Sequence, residues 1–80
     1  MNIYIANLHF SVEESELEQL FKQYGQVNSV KLMMDKKKNK SKGFAFVDIN
    51  PNPDIDLVKI LDGKEIRGRT TKVSIAKTSI

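Results

Sequence analysis

A chain of 80 residues with 40% hydrophobic and 29% charged side chains has the balance of one small globular domain, and at this size only about 60% of the unfolded surface is buried on folding. The absence of cysteine excludes disulfides and thiolate metal sites, and no apolar run nears the roughly 18 residues of a membrane span. The formal net charge of +3 is modest, so what matters is where the charges lie.

Met1-Asn2-Ile3-Tyr4 lacks the charged and apolar regions of a signal peptide, which leads to the expectation of an intracellular, cytoplasmic protein. Asn2 to Leu8 reads as a strand, with Ile3 and Ile5 alternating against Tyr4 and Ala6. A turn is expected at Asn7-Leu8-His9-Phe10. Ser11 then has the place of a helix N-cap, and Glu14 three residues later would complete a capping box. Val12, Leu17, Leu20, Phe21 and Tyr24 recur at helical spacing, so the helix is predicted to run to about Tyr24 with Gly25 as its stop. Glu13, Glu14, Glu16 and Glu18 give it an acidic start, suited to the positive end of the helix dipole.

Val27 to Met34 alternates again, with Val30, Leu32 and Met34 on one side and Ser29, Lys31 and Met33 on the other. Asp35 to Ser41 has no periodicity and reads as a loop. Lys31, Lys36, Lys37, Lys38, Lys40 and Lys42 fall in this region with Asp35 as the only acid, a basic patch set against the acidic first helix. Gly43 to Ile49 is a third strand, which Asn50-Pro51-Asn52-Pro53 is expected to end because proline removes a ladder donor. Asn52 is the predicted cap of a second helix, with Pro53 at its first position. That helix would bury Ile55, Val58 and Leu61 and stop at Asp62-Gly63. After a connection through Gly68, Thr71 to Ala76 forms the last strand.

The order βαββαβ describes an α+β sandwich in which two helices cover one face of a four-stranded antiparallel sheet. The expected inward set from the strands is Ile3, Ile5, Leu8, Val30, Leu32, Ala45, Val47, Ile49, Val73 and Ile75. Nothing is left to cover the other face, where alternation puts Tyr4, Phe44 and Phe46. Exposed aromatic rings on so small a domain mark a binding surface. Flat rings interleaved with lysines suit a single-stranded nucleic acid, whose unpaired bases stack while its phosphates meet the cations.

Two motifs carry a resemblance to a known family. Lys42-Gly43-Phe44-Ala45-Phe46-Val47-Asp48-Ile49 resembles the octamer of the RNA-recognition-motif family, departing only at Ile49, where an aromatic is common. Ile3-Tyr4-Ile5-Ala6-Asn7-Leu8 is similar to that family's hexamer on the first strand. The resemblance spans essentially all of residues 1–80 and implies the ferredoxin-like fold, a single RNA-binding domain and no cofactor or metal. It further implies that Tyr4 and Phe46 stack on two adjacent bases, Phe44 packs against a sugar or between nucleotides, and Lys42 contacts a phosphate. Lys31, Met33, Asp48, Lys72 and Ser74 would tune base preference from the same face. Backbone groups of Ala76, Lys77 and Thr78, joined by Asn2, would read base edges. Lys36, Lys37, Lys38 and Lys40 form either a phosphate clamp or a solvated loop.

The partner expected on this resemblance is single-stranded RNA, with single-stranded DNA as the alternative, bound by a monomer away from any membrane. The chain resembles short stand-alone bacterial proteins of the family, or equally a domain cut from a longer protein. The remaining polar residues have plain roles: Asn7 bonding backbone at the strand end, His9 in a loop, and Arg67 and Arg69 solvated around a turn. Two rival functions remain open. One is a protein-interaction module using the sheet or the acidic helix. The other is an enzyme, since small acyl phosphatases share the βαββαβ plan; a chain with one histidine, no cysteine and no phosphate-cradling glycine pattern gives that reading little to work with.

Overall fold

The computed structural model describes residues 1–76. Strand β1 (Asn2–Ala6) is followed by helix α1 (Glu14–Lys22), strands β2 (Gly25–Asp35) and β3 (Lys40–Pro51), and helix α2 (Leu57–Leu61). Two short strands, β4 (Glu65–Ile66) and β5 (Arg69–Thr70), precede β6 (Lys72–Ile75). The main sheet has the order β2-β3-β1-β6, antiparallel throughout, which is the expected ferredoxin-like arrangement.

One side of the sheet makes the core. Ile3 and Ile5 of β1, Ala45, Val47 and Ile49 of β3 and Val73 of β6 are buried against Leu17 and Phe21 of α1 and Leu57 and Leu61 of α2. The period of two puts these residues on one face, and the registers Ile3↔Val47 and Ile5↔Val73 bring them side by side. Ile49, the departure from the family octamer, is one of them, so it serves packing and not the open face.

Helix α1 begins two residues later than a cap at Ser11 requires. Its N-cap is Glu13, without a side-chain bond, while the Ser11 N–H donates to His9 Nδ1 at 3.1 Å. Glu14 does not reach back to close a capping box; its carboxylate accepts from the Leu32 N–H of β2 at 2.8 Å. The helix ends at Lys22, and Gly25 belongs to β2 instead of stopping it. The glycine is needed for another reason: a Cβ there would stand 2.4 Å from the Asn50 carbonyl oxygen, in the paired strand β3.

Strand β3 continues through Asn50 to Pro51, which pairs with Gly25, so the strand ends two residues later than expected. Asn52 caps no helix. Its side chain accepts from the Asp54 N–H at 2.9 Å and folds Pro53 into a turn. The cap of α2 is Asp56, whose carboxylate accepts from the Lys59 N–H at 3.2 Å, leaving a helix of only 5 residues. This short helix covers Val73 but not the end of the edge strand, and Ile75, expected inward, is 59% exposed. The β4–β5 hairpin turns through Arg67 (φ 52°) and Gly68 (φ 80°), the positive pair that a tight hairpin favours. Arg67 is not simply solvated: its guanidinium holds both carboxylate oxygens of Glu16 on α1, at 2.7 to 3.2 Å. That hydrogen bond and charge raise its pKa above the ordinary value.

Candidate nucleic-acid interface

The sheet's second face carries the aromatic side chains. Tyr4 lies directly across from Phe46 in the β1–β3 register, and Ala6 lies across from Phe44. Ring centroids are 5.4 Å apart for Tyr4 and Phe46, 5.8 Å for Tyr4 and Phe44, and 6.2 Å for Phe44 and Phe46. The rings are tilted or edge-on to one another, as their quadrupoles favour, so each shields part of its neighbours and all three are half-buried. Both helices pack on the opposite face, and no described element crosses this one.

An irregular stretch of β3 sets the rings' surroundings. Leu32 pairs with Ala45 but Met34 pairs with Ser41, so Lys42, Gly43 and Phe44 stand opposite Met33 alone. Such a bulge breaks the alternation and re-aims side chains. Met34, placed with Val30 and Leu32 by alternation, is 45% exposed as a result. Gly43 takes φ +86° here, and a Cβ on it would come 3.2 Å from the Leu8 carbonyl, which explains the glycine of the octamer better than any contact of its own. The Leu8 N–H donates to the Gly43 carbonyl at 2.9 Å and ties the end of β1 to the bulge.

Past the paired region of β1, the β2–β3 hairpin continues alone to Asp35↔Lys40. Its tip is the turn 36–39, in which Asp35 accepts from the N–H groups of Lys37 (3.0 Å) and Lys38 (3.3 Å), and Asn39 has φ 53°. The loop is therefore a built turn, with Lys36, Lys37, Lys38 and Lys40 all exposed.

Where the sheet face meets the turn after β1, an open depression of about 400 Å³ is lined by Tyr4, Phe44, Lys42, Asn7, Phe10 and Arg69, among others. Asn7 takes φ 62° and its Nδ2 donates to the Thr70 carbonyl at 2.7 Å. Arg69 donates to both the carbonyl and the Oδ1 of Asn7, so it is anchored at this corner and not loose in solvent.

The RNA recognition motif family model matches residues 3–72. The chain belongs to the RNA-recognition-motif family. This is a family of RNA-binding domains and not of enzymes. The putative RNA-binding protein RbpE of Nostoc sp. is 37% identical over 78 residues, covering 96% of this chain and 79% of that protein. Among solved structures, the RNA binding protein PG1 superposes with a TM-score of 0.89 at 34% identity, covering 100% of this chain and 98% of that one. A Sex-lethal protein–RNA complex superposes with a TM-score of 0.85 at 33% identity, covering 98% of this chain and 47% of the other. Relatives from Spinacia oleracea, Arabidopsis thaliana and Nicotiana sylvestris are longer, and the chain spans 33%, 12% and 24% of their lengths.

Around the RNA-recognition-motif aromatics, the register places several of the polar residues named from sequence. Lys31 lies across from Phe46, Ser74 across from Tyr4 and Lys72 across from Ala6, all exposed. Asp48 lies across from Asn2, and both are half-buried. Met33 is half-buried opposite the bulge. The Ala76 N–H is already donated to the Asn2 carbonyl at 2.8 Å, so that amide has no free hydrogen for a base edge. Lys77 and Thr78 lie outside the described residues. Sequence periodicity missed Phe10 and the corner role of Arg69. An aromatic in a turn, outside either periodicity, was the available signal for the first; Arg69 reaches Asn7 across 62 positions and had none.

Proposed function

We propose that this domain binds single-stranded RNA on the open sheet face, with two unpaired bases stacked on Tyr4 and Phe46 and no bond made or broken. The observation that carries the reading is the group of three rings with centroids 5.4 to 6.2 Å apart on a face that no described element covers. Rings this close present flat surface to two neighbouring nucleotides at once, and Phe44, at the bulge beside them, suits a sugar or the gap between bases. Lys42 is exposed beside the rings and available to a phosphate, whose neutralisation releases a counterion, while exposed Lys31 and Lys72 on the same face tune which bases are accepted. Paired bases cannot enter, because their faces are already stacked. Membership of the RNA-recognition-motif family supports RNA as the polymer, as does the RNA in the Sex-lethal complex.

The test is an affinity measurement on Phe46→Ala with single-stranded RNA. Losing one stacking platform is expected to weaken binding by about 1–3 kcal/mol. Phe46 is half-buried on the solvent side of the sheet, so the variant should keep the wild-type fold, checked by its amide spectrum. An unchanged affinity in the folded variant would remove the sheet as the site.

A further inference from the structure

The aromatic surface does not end at the edge of the sheet. The depression beside Phe44 carries it on to Phe10, which at 65% is the most exposed large apolar side chain among the described residues. An exposed phenylalanine is commonly loose, but this one is held. Its ring stacks on His9 with centroids 4.4 Å apart and planes inclined by 28°. His9 is fixed in turn, since its Nδ1 accepts from the Ser11 N–H at 3.1 Å and lies 2.7 Å from the Ser11 hydroxyl. One face of the Phe10 ring is thus backed by an imidazole.

Two cations line the same depression. Lys42 is exposed on the β3 bulge. Arg69 is oriented by its two bonds to Asn7, which is itself pinned to the Thr70 carbonyl. Neither cation is within ion-pair distance of a carboxylate among the described residues, whereas nearby Arg67 is bound to Glu16. A planar guanidinium already oriented by its neighbours loses little freedom on meeting a phosphate. A backed aromatic ring beside two uncompensated cations has the chemistry of a nucleotide site.

We infer that Phe10, Lys42 and Arg69 form an additional nucleotide subsite, in which a base stacks on Phe10 and a phosphate meets Lys42 and Arg69. It lengthens the RNA footprint beyond the two bases assigned to Tyr4 and Phe46, and it rests on the reading of the sheet as an RNA platform.

Length dependence tests it. Random-sequence RNA dinucleotides and hexanucleotides are titrated by NMR against the wild-type domain, Phe10→Ala and Phe46→Ala. Phe10→Ala should lower hexanucleotide affinity by roughly 5- to 150-fold and leave dinucleotide affinity unchanged, because two nucleotides are satisfied on the sheet. Phe10→Tyr, which keeps a ring, should restore most of the loss. Arg69→Gln should reduce the slope of log affinity against log salt by about 0.7 for the hexanucleotide. An unchanged hexanucleotide affinity in Phe10→Ala, or an equal loss at both lengths, overturns the subsite. An unchanged salt slope removes Arg69 from it. Phe46→Ala should weaken both lengths; if it weakens neither while Phe10→Ala weakens the hexanucleotide, the subsite stands and the sheet reading is the one that fails.

Discussion

At Gly25 the backbone approaches its partner strand more closely than any side chain would allow. The Asn50 carbonyl oxygen would be 2.4 Å, and Pro51 Cα 2.7 Å, from a Cβ at this position. Gly25→Ala must therefore push apart the ends of β2 and β3, and is expected to cost about 1–3 kcal/mol in chemical denaturation. A stability equal to wild type would show that the two strands can separate there freely. The need for glycine was legible at position 25, yet the reason was not: a helix stop is a local pattern, whereas Asn50 arrives from another strand. The aromatic residues were legible for the opposite reason. Tyr4, Phe44 and Phe46 follow from alternation within their own strands, and pairing only had to bring the strands together.

The helices show how tertiary contacts override local capping. Ser11 and Glu14 have the spacing of a capping box, but Ser11 serves His9 and Glu14 serves the Leu32 amide at the irregular part of β2. In α2 the working cap is Asp56, four residues after Asn52, with its carboxylate on the Lys59 N–H. Asp56→Ala should lower stability by about 0.5–2 kcal/mol, a loss that Ser11→Ala should not produce at α1. Equal losses in thermal or denaturant unfolding would restore the Ser11 cap. Both helices were legible in apolar spacing, and Leu17, Phe21 and Leu61 are buried as expected. Their starts were not, because two candidate caps compete within a few residues and packing chooses between them. The shortness of α2 matters beyond itself, since it leaves Ile75 exposed at the sheet edge. The β4–β5 hairpin, with strands of 2 residues each, is too short for alternation to mark.

Over the whole molecule, two helices suffice for one side of a four-stranded sheet, and the other side is left for the rings. Charge is divided as well. Glu13, Glu14, Glu16 and Glu18 lie at the start of α1, and Lys36, Lys37, Lys38 and Lys40 at the tip of the protruding hairpin. If these exposed lysines meet phosphates, their contacts position the strand and carry no sequence information. Replacing Lys36, Lys37 and Lys38 together by glutamine should weaken binding to all RNA sequences alike, and reduce the salt slope by about 0.7 for each phosphate that is no longer neutralised. A weakening confined to one sequence would mean that the turn reads bases.

Binding of RNA on the open sheet face is read by an amide-shift titration of the domain with a pool of short random-sequence RNAs. Shifts concentrated at Tyr4, Lys31, Lys42 to Asp48 and β6 are the predicted result. A sheet that stays silent at saturating RNA, with shifts confined to α1 or with self-association instead, would contradict it.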